Sequence, residues 1–398
     1  MIWWLLAAPG LLAQSALTLE EAVAMALKNH PDAAVARAAR NVAAAQTGAA
    51  QALPQPEFRV SFNNFAIDPE LLEARSNLAI RWSPPRPREL SLKKQIAQTR
   101  QSSVEASIQG FEARLAAETR HAFRRATLAA ERVRISEQAL ALRARVLEVV
   151  KRQVAAGLKE ATEADLAELT VTDAETELRR LRNTAAAESR ALHRYIGAAP
   201  VSLIPEDNLL RNPAPVTHHF DPQARAELQQ AAASCRESDL LASIARNQRY
   251  PWISFTQVTR RVSAVENRGP WSFQFGVDLP LFRTAAKAEQ KIAVAQAARC
   301  RTQQQALESQ IRNEVSEALA ALEASRLDLI EVDRIRSGVA TKALERSKLA
   351  LASGRADQVE VLLAEARTVA LHDRWLERRL EYARLQAQYE HAISQSTN

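Results

Sequence analysis

Two stretches of this chain limit its possible folds more than any other feature. Glu89 to Ala155 and Ala285 to Ser353 run nearly free of proline and glycine. At about 1.5 Å per residue, each predicts a helix of roughly 100 Å. In the first, Leu128, Ile135, Leu142 and Val149 recur at heptad spacing, with Ala139 and Val146 between them. In the second, Ile311, Val315, Ala318, Leu322, Leu329 and Val332 follow a four-three spacing. That is the seam of a coiled coil. Helices of this length do not fold around a compact globular core. An apolar share that leans on alanine suits close helix–helix contact.

The chain also repeats itself. The segment Gly157 to Glu168 aligns without a gap on Gly354 to Glu365, matching Gly157/Gly354, Glu163/Glu360, Leu166/Leu363, Ala167/Ala364 and Glu168/Glu365. The offset is about 197 residues. The same offset relates Pro54 to Pro251, and Pro84 to Pro280 within one residue. Three landmarks in one order predict a unit present twice, each copy reading helix, strand, strand, long helix, glycine turn, helix. The first copy is expected over 16–197, with strands near 56–66 and 75–83 and helices near 89–155 and 160–196. A proline-rich linker occupies 198–220. The second copy covers 221–398, with strands near 251–260 and 270–282 and helices near 285–353 and 356–394. Thr18 followed by Glu21 is a capping-box pattern that starts the first helix, with an interruption expected at Pro31.

The strand segments alternate. Phe58, Val60 and Phe62 interleave with Arg59, Ser61 and Asn63, and Leu78, Ile80 and Trp82 with Asn77, Ala79 and Arg81. In the second copy Trp271, Phe273, Phe275, Val277 and Leu279 interleave with Ser272, Gln274, Gly276 and Asp278, while Trp252 to Thr259 is a weaker fourth strand. Period two means one apolar and one polar face. Trp82, Tyr250, Trp252 and Trp271 fall near strand ends, where an aromatic girdle would lie.

Other features exclude more than they assert. The formal charge of +7 comes from arginines spread among Glu and Gln at helical spacing, without the basic block and interleaved aromatics of a nucleic-acid surface. No Gly-rich phosphate loop, nucleophile elbow or metal-spaced His/Cys set is present in the sequence, so no enzyme, cofactor or metal site is expected. The His218-His219 pair lies in the linker and reads as a solvated loop. Cys235 and Cys300 match no metal or redox spacing; they read as two small, partly buried residues, and their pairing stays open. Residues 1–15 resemble a secretory signal lacking its basic start, with Ala13 and Ser15 placed for cleavage. No run elsewhere is long enough for a transmembrane helix, so membrane entry would require a barrel.

One chain supplies four strands, and small membrane barrels begin at about eight. An open sheet with an apolar face would leave its edges exposed. Several chains must then share one barrel, with apolar faces toward lipid and Arg59, Ser61, Asn63, Gln274 and Asp278 lining a wet lumen. A soluble two-sheet module fits the alternation equally well, but leaves the long helices and the signal unconnected.

Five motifs in order resemble the TolC-type outer membrane factors. They are Leu17-Thr-Leu-Glu-Glu-Ala-Val-Ala-Met-Ala-Leu-Lys-Asn-His-Pro-Asp32, Ala52-Leu-Pro-Gln-Pro-Glu57, Val277-Asp-Leu-Pro-Leu-Phe282 and the two glycine turns. The Leu-Pro-Gln-Pro-Glu segment followed by Asn63-Asn-Phe65 leans toward the branch paired with heavy-metal and cation exporters. The resemblance implies a mainly α fold with a small β part. A homotrimer would pool four strands per chain into a 12-stranded transmembrane β-barrel, with coiled-coil helices forming an α-barrel in the periplasm. It implies an outer-membrane location, contact with outer-membrane lipid, and two partners: a periplasmic adaptor and an inner-membrane pump of the RND type. The function implied is the passive duct of a tripartite efflux or type I secretion system, with a soluble periplasmic scaffold or adaptor as the alternative.

The resemblance also assigns roles. Gly157, Leu158, Gly354 and Arg355 would form the adaptor-docking tips. Glu360 would narrow the closed aperture, its second acidic position being Leu363 here. Thr162 and Glu163 match the family's closing network. The tyrosine and arginine that engage them there are Leu351 and Ala356 here, leaving the adjacent Arg355 as the substitute.

Overall fold

A computed structural model describes residues 17–63, 75–197, 203–205, 209, 211–216, 220–263, 271–279 and 283–393. The expected signal segment and the His218-His219 pair lie outside the described residues. Helices α1 (Leu19–Asn29) and α2 (Pro31–Ala49) precede strands β1 (Glu57–Asn63) and β2 (Arg75–Trp82). The long helix α3 (Glu89–Ala155) and α4 (Ala161–Ile196) follow. After the linker come α5 (Ala226–Asn247), β3 (Trp252–Ser263), β4 (Trp271–Asp278), α6 (Arg283–Arg334), α7 (Thr341–Ala352) and α8 (Gln358–Ala392). No helix among the described residues is long and apolar enough to cross a membrane.

Local chemistry sets the boundaries. Thr18 Oγ1 accepts from the Glu21 amide at 3.3 Å, and Glu21 Oε2 accepts from the Thr18 amide at 2.9 Å, the capping box read from the sequence. The bonds it accepts from the Thr18 amide and hydroxyl hold the Glu21 carboxyl below its usual range. His30 is extended at ψ 130°, and Pro31 opens α2, where its missing N–H costs nothing. The second long helical run is not uniform. Ile335–Ala340 forms a π-helical turn joining α6 to α7, and Thr341 Oγ1 donates to the Arg336 carbonyl at 3.3 Å. A helix widened by one residue re-aims the side chains that leave it.

The described residues form two compact units. One gathers Met1–Val35, Gly110–Pro222 and Gln310–Asn398; the other gathers Ala36–Gln109 and Gln223–Ser309. Each draws on segments from both sides of the linker. In the first unit the heptad positions make the core. Leu128, Ile135, Val315, Leu322 and Leu329 pack with Trp375, Leu376 and Tyr382 of α8 and with Leu209. Arg379 is buried here; its Nε donates to the Leu209 carbonyl at 2.6 Å and its guanidinium lies over Tyr382. Arg336 leaves the π turn to lie 4.8 Å over the Trp375 ring, with His372 at the ring edge and Asp333 as its ion partner. Burial, then the nearby Arg336 charge, pushes the His372 pKa down.

The second unit holds the sheet and the helix segments beside it. Its buried helix positions are small: Ala43, Ala97, Ala106, Ala233, Ala242 and Ala297, with Ile96, Ile108 and Leu228. Ion pairs Arg100–Glu237 at 2.6 Å and Arg301–Asp239 at 2.7 Å add cross-helix contacts. Cys235 of α5 and Cys300 of α6 are joined as a disulfide, with a Cα–Cα distance of 5.4 Å. The sequence left this pairing open, because only the tertiary approach of α5 to α6 decides it.

Candidate functional site

The sheet has the order β1-β2-β3-β4, antiparallel throughout, and among the described residues neither β1 nor β4 has a second partner strand. Register puts Phe58 beside Ile80, Ile80 beside Val258, and Val258 beside Phe273, so these four share one face. That face is apolar and uncovered. Phe58 is 64% exposed, Phe273 67% and Phe275 71%, while Val60, Ile80, Trp271 and Val277 are also exposed. Thr256 and Arg260 interrupt this face, and the Arg260 guanidinium lies 5.4 Å from the centroid of its cross-strand neighbour Trp271. Such a pair buries the arginine stem along apolar surface while its head stays wet.

The opposite face is polar. The rows Arg59–Ala79–Thr259–Ser272 and Glu57–Arg81–Gln257–Gln274 cross all four strands. Ser61, Arg261 and Asp278 share this face by register; Asn63 does so by position, its side chain lying outside the described residues. The weak alternation of the third strand has a cause. A register shift between Ile253 and Phe255 makes Ser254 an extra residue, so Trp252 and Phe255 both fall on the polar face. Phe255 lies opposite Gly276, and a Cβ at Gly276 would stand 2.3 Å from Phe255 Cε1, so any side chain there would push the Phe255 ring aside.

Aromatic residues close the strand ends. Trp82 Nε1 donates to the Pro54 carbonyl at 3.0 Å and Trp252 Nε1 to the Pro84 carbonyl at 2.9 Å, so two of the repeat's proline landmarks anchor the indoles. Arg86 donates to the Tyr250 carbonyl at 2.6 Å and pairs with Asp278 at 3.9 Å. Trp271 and Arg260 stand toward the other end of the strands.

The two glycine turns, in the first unit, are copies of one motif. Gly157 N donates to Val154 O and Leu158 N to Gln153 O; Gly354 N donates to Leu351 O and Arg355 N to Ala350 O. Gly157 has φ 73° and Gly354 φ 69°, the left-handed region that favours glycine at helix ends. Lys151–Glu168 at 3.2 Å and Lys348–Glu365 at 3.1 Å tie each hairpin at repeat-equivalent positions. The glutamates were matched by the sequence alignment; the lysines sit at the same offset but were missed, because they precede the aligned segment. Gln153 Nε2 donates to Asp357 Oδ2 at 2.7 Å, linking one turn to the start of the next hairpin helix.

The expected closing residues are dispersed in a single chain. Glu163 pairs with Lys159 at 2.6 Å, Arg355 Nε donates to Ser353 Oγ at 2.9 Å, and Thr162 Oγ1 bonds Glu160 at 3.5 Å. Glu360 is exposed in the first turn of α8. Leu158, Leu166, Leu169, Leu349, Leu351 and Leu363 are exposed around the same hairpins. Among the described residues no group of three or more His, Cys, Asp or Glu is placed to hold a metal ion.

No protein-family model matches the chain. No curated protein matches it by sequence. Solved structures do match. CusC, described by its transmembrane channel formation, superposes with a TM-score of 0.78 at 16% identity, over 94% of this chain and 91% of that one. The open-state MtrE outer membrane channel of Neisseria gonorrhoeae gives 0.74 at 17% identity, over 95% and 89%. The outer membrane protein VceC of Vibrio cholerae gives 0.73 at 16%, over 95% and 96%. The chain has the fold of these outer-membrane channel proteins, in agreement with the α-rich, four-strand architecture its motifs imply.

Proposed function

We propose that the chain is the outer-membrane duct of a tripartite efflux or type I secretion assembly, a passive homotrimer without catalytic chemistry. One observation carries this reading: a four-stranded sheet with an uncovered aromatic face and two open edges. An apolar face of this kind is unstable in water, and an open edge is unstable in lipid. Three copies joined edge to edge satisfy both, giving twelve strands with Phe58, Phe273 and Phe275 toward lipid and Arg59, Ser61, Gln274 and Asp278 toward a lumen. Trp82 at one end, and Trp271 with Arg260 at the other, supply the two girdles. A soluble scaffold or adaptor would have to leave the aromatic face bare. Fractionation tests the reading: a heat-modifiable trimer in outer-membrane fractions supports it, and a soluble monomer refutes it.

The chain is read as one unit used twice, at 16–197 and 221–398. The glycine turns at Gly157-Leu158 and Gly354-Arg355 would dock a periplasmic adaptor, with an inner-membrane pump delivering substrate. The exposed leucines of both hairpins would be covered by neighbouring copies. Glu360, in triplicate, would form a cation-attracting constriction. Glu360→Ala is expected to lower the potassium-over-chloride permeability of the reconstituted trimer by about twofold. Unchanged conductance and selectivity would remove Glu360 from the constriction, and Thr162, Glu163 and Arg355 would then be the remaining candidates for closure.

A further inference from the structure

The polar face of the sheet carries an arginine that is held in place and, among the described residues, has no counter-ion. Arg81, half-buried on β2, has its guanidinium carbon 4.1 Å from the centroid of the Phe255 ring. Phe255 follows the bulge at Ser254 and shares this face with Gln257, and its ring lies across Gly276, where no side chain intervenes. Stacking occupies the flat face of a guanidinium and leaves its in-plane N–H donors free to grip a carboxylate or phosphate. The register neighbours of Arg81 are Glu57 and Gln257. Glu57 is already bonded to Arg59 at 2.8 Å, and the other described carboxylate on this face, Asp278, faces Arg86 at 3.9 Å. Among the described residues no carboxylate pairs with Arg81 or with Arg261.

We propose that Arg81, seated on Phe255 and Gly276, is an anion-binding step in the lumen, and that the exported compound carries carboxylate or phosphate groups. The inference rests on the duct reading, which makes this face the lumen wall and sets three copies of Arg81 in one ring. Fixed positive charge in a confined pore concentrates anions. It separates this chain from the cation-export branch that its Leu-Pro-Gln-Pro-Glu segment resembles, and its sign is opposite to that of Glu360.

The test is ion permeation through the purified full-length trimer in planar bilayers, read as the reversal potential in a KCl gradient, with citrate as the blocking probe. Arg81→Gln is expected to lower the chloride-over-potassium permeability ratio about threefold and to raise the half-blocking citrate concentration about tenfold. Arg81→Lys keeps the charge but loses the fork and the stack, so it should hold the ratio and still weaken citrate block. Arg261→Gln should move the ratio alone. If Arg81→Gln does not assemble, Arg81→Lys carries the test through citrate. Native ratio and native citrate block in Arg81→Gln, or native citrate block in Arg81→Lys, would overturn the proposal. A native trimer that makes no pore at all would overturn the duct reading instead.

Discussion

Trp375→Ala is expected to destabilise the first unit by about 3–5 kcal/mol, at the upper end for a large-to-small core change. The indole is 2% exposed and sits where α3, α6 and α8 meet, among Leu128, Leu322, Leu329 and Leu376. Its Nε1 is buried without a hydrogen-bond partner, so removing it breaks no hydrogen bond. The loss is burial plus a cavity that three long helices cannot close, because each is fixed by contacts along its length. Arg336 would lose the ring it lies on but keep Asp333. Trp375→Phe retains most of the ring volume and should cost less than half as much. Chemical unfolding followed by circular dichroism measures both. A Trp375→Ala protein with a native midpoint would show that the indole is not a core residue.

Loss of the Cys235–Cys300 disulfide is the second large effect, and it belongs to the other unit. The bond closes a separation of 65 residues that contains the whole β3–β4 hairpin. Constraint of a loop that long in the unfolded chain stabilises the fold by about 4 kcal/mol on the chain-entropy account. A double Cys235→Ala, Cys300→Ala variant should therefore unfold at markedly lower denaturant, and reductant should shift the native protein the same way while leaving the variant unmoved. Two thiols titrating freely in native, unreduced protein would remove the disulfide and this prediction with it. The bond also fits an oxidising compartment such as the periplasm.

What could be read in advance followed from periodicity. Leu128, Ile135, Ile311, Val315, Leu322 and Leu329 are buried because a heptad fixes which stripe faces a neighbouring helix. Phe58, Val60, Ile80 and Phe273 share a face because strand side chains alternate. Thr18 and Glu21 cap α1 because that pair satisfies two amides at once. Features that interrupt a period were not legible. The extra residue at Ser254 breaks the alternation of β3, which is why that strand read as weak, and it leaves Trp252 and Phe255 on one face, where Phe255 supports Arg81. The π turn at Ile335–Ala340 hides inside a sequence that reads as unbroken helix. Disulfide pairing depends on which helices come together, and spacing along the chain carries no such information. The closing residues were named by resemblance alone; Thr162, Glu163 and Arg355 each find a local partner within one chain.

The claim that three chains share one barrel can be tested at the strands themselves. β1 and β4 are the outer strands of a four-stranded sheet, so within one chain they stand about 14 Å apart. Val60→Cys on β1 and Phe275→Cys on β4 provide one thiol at each edge, while Cys235 and Cys300 are occupied with each other. A bismaleimide with a reach of about 8 Å is too short to join the two edges of one sheet but long enough to join adjacent strands of neighbouring copies. Treatment of outer-membrane fractions should give a ladder that ends at three times the mass of one chain. A product that remains at one chain's mass, or a ladder that runs past three, would contradict the shared barrel.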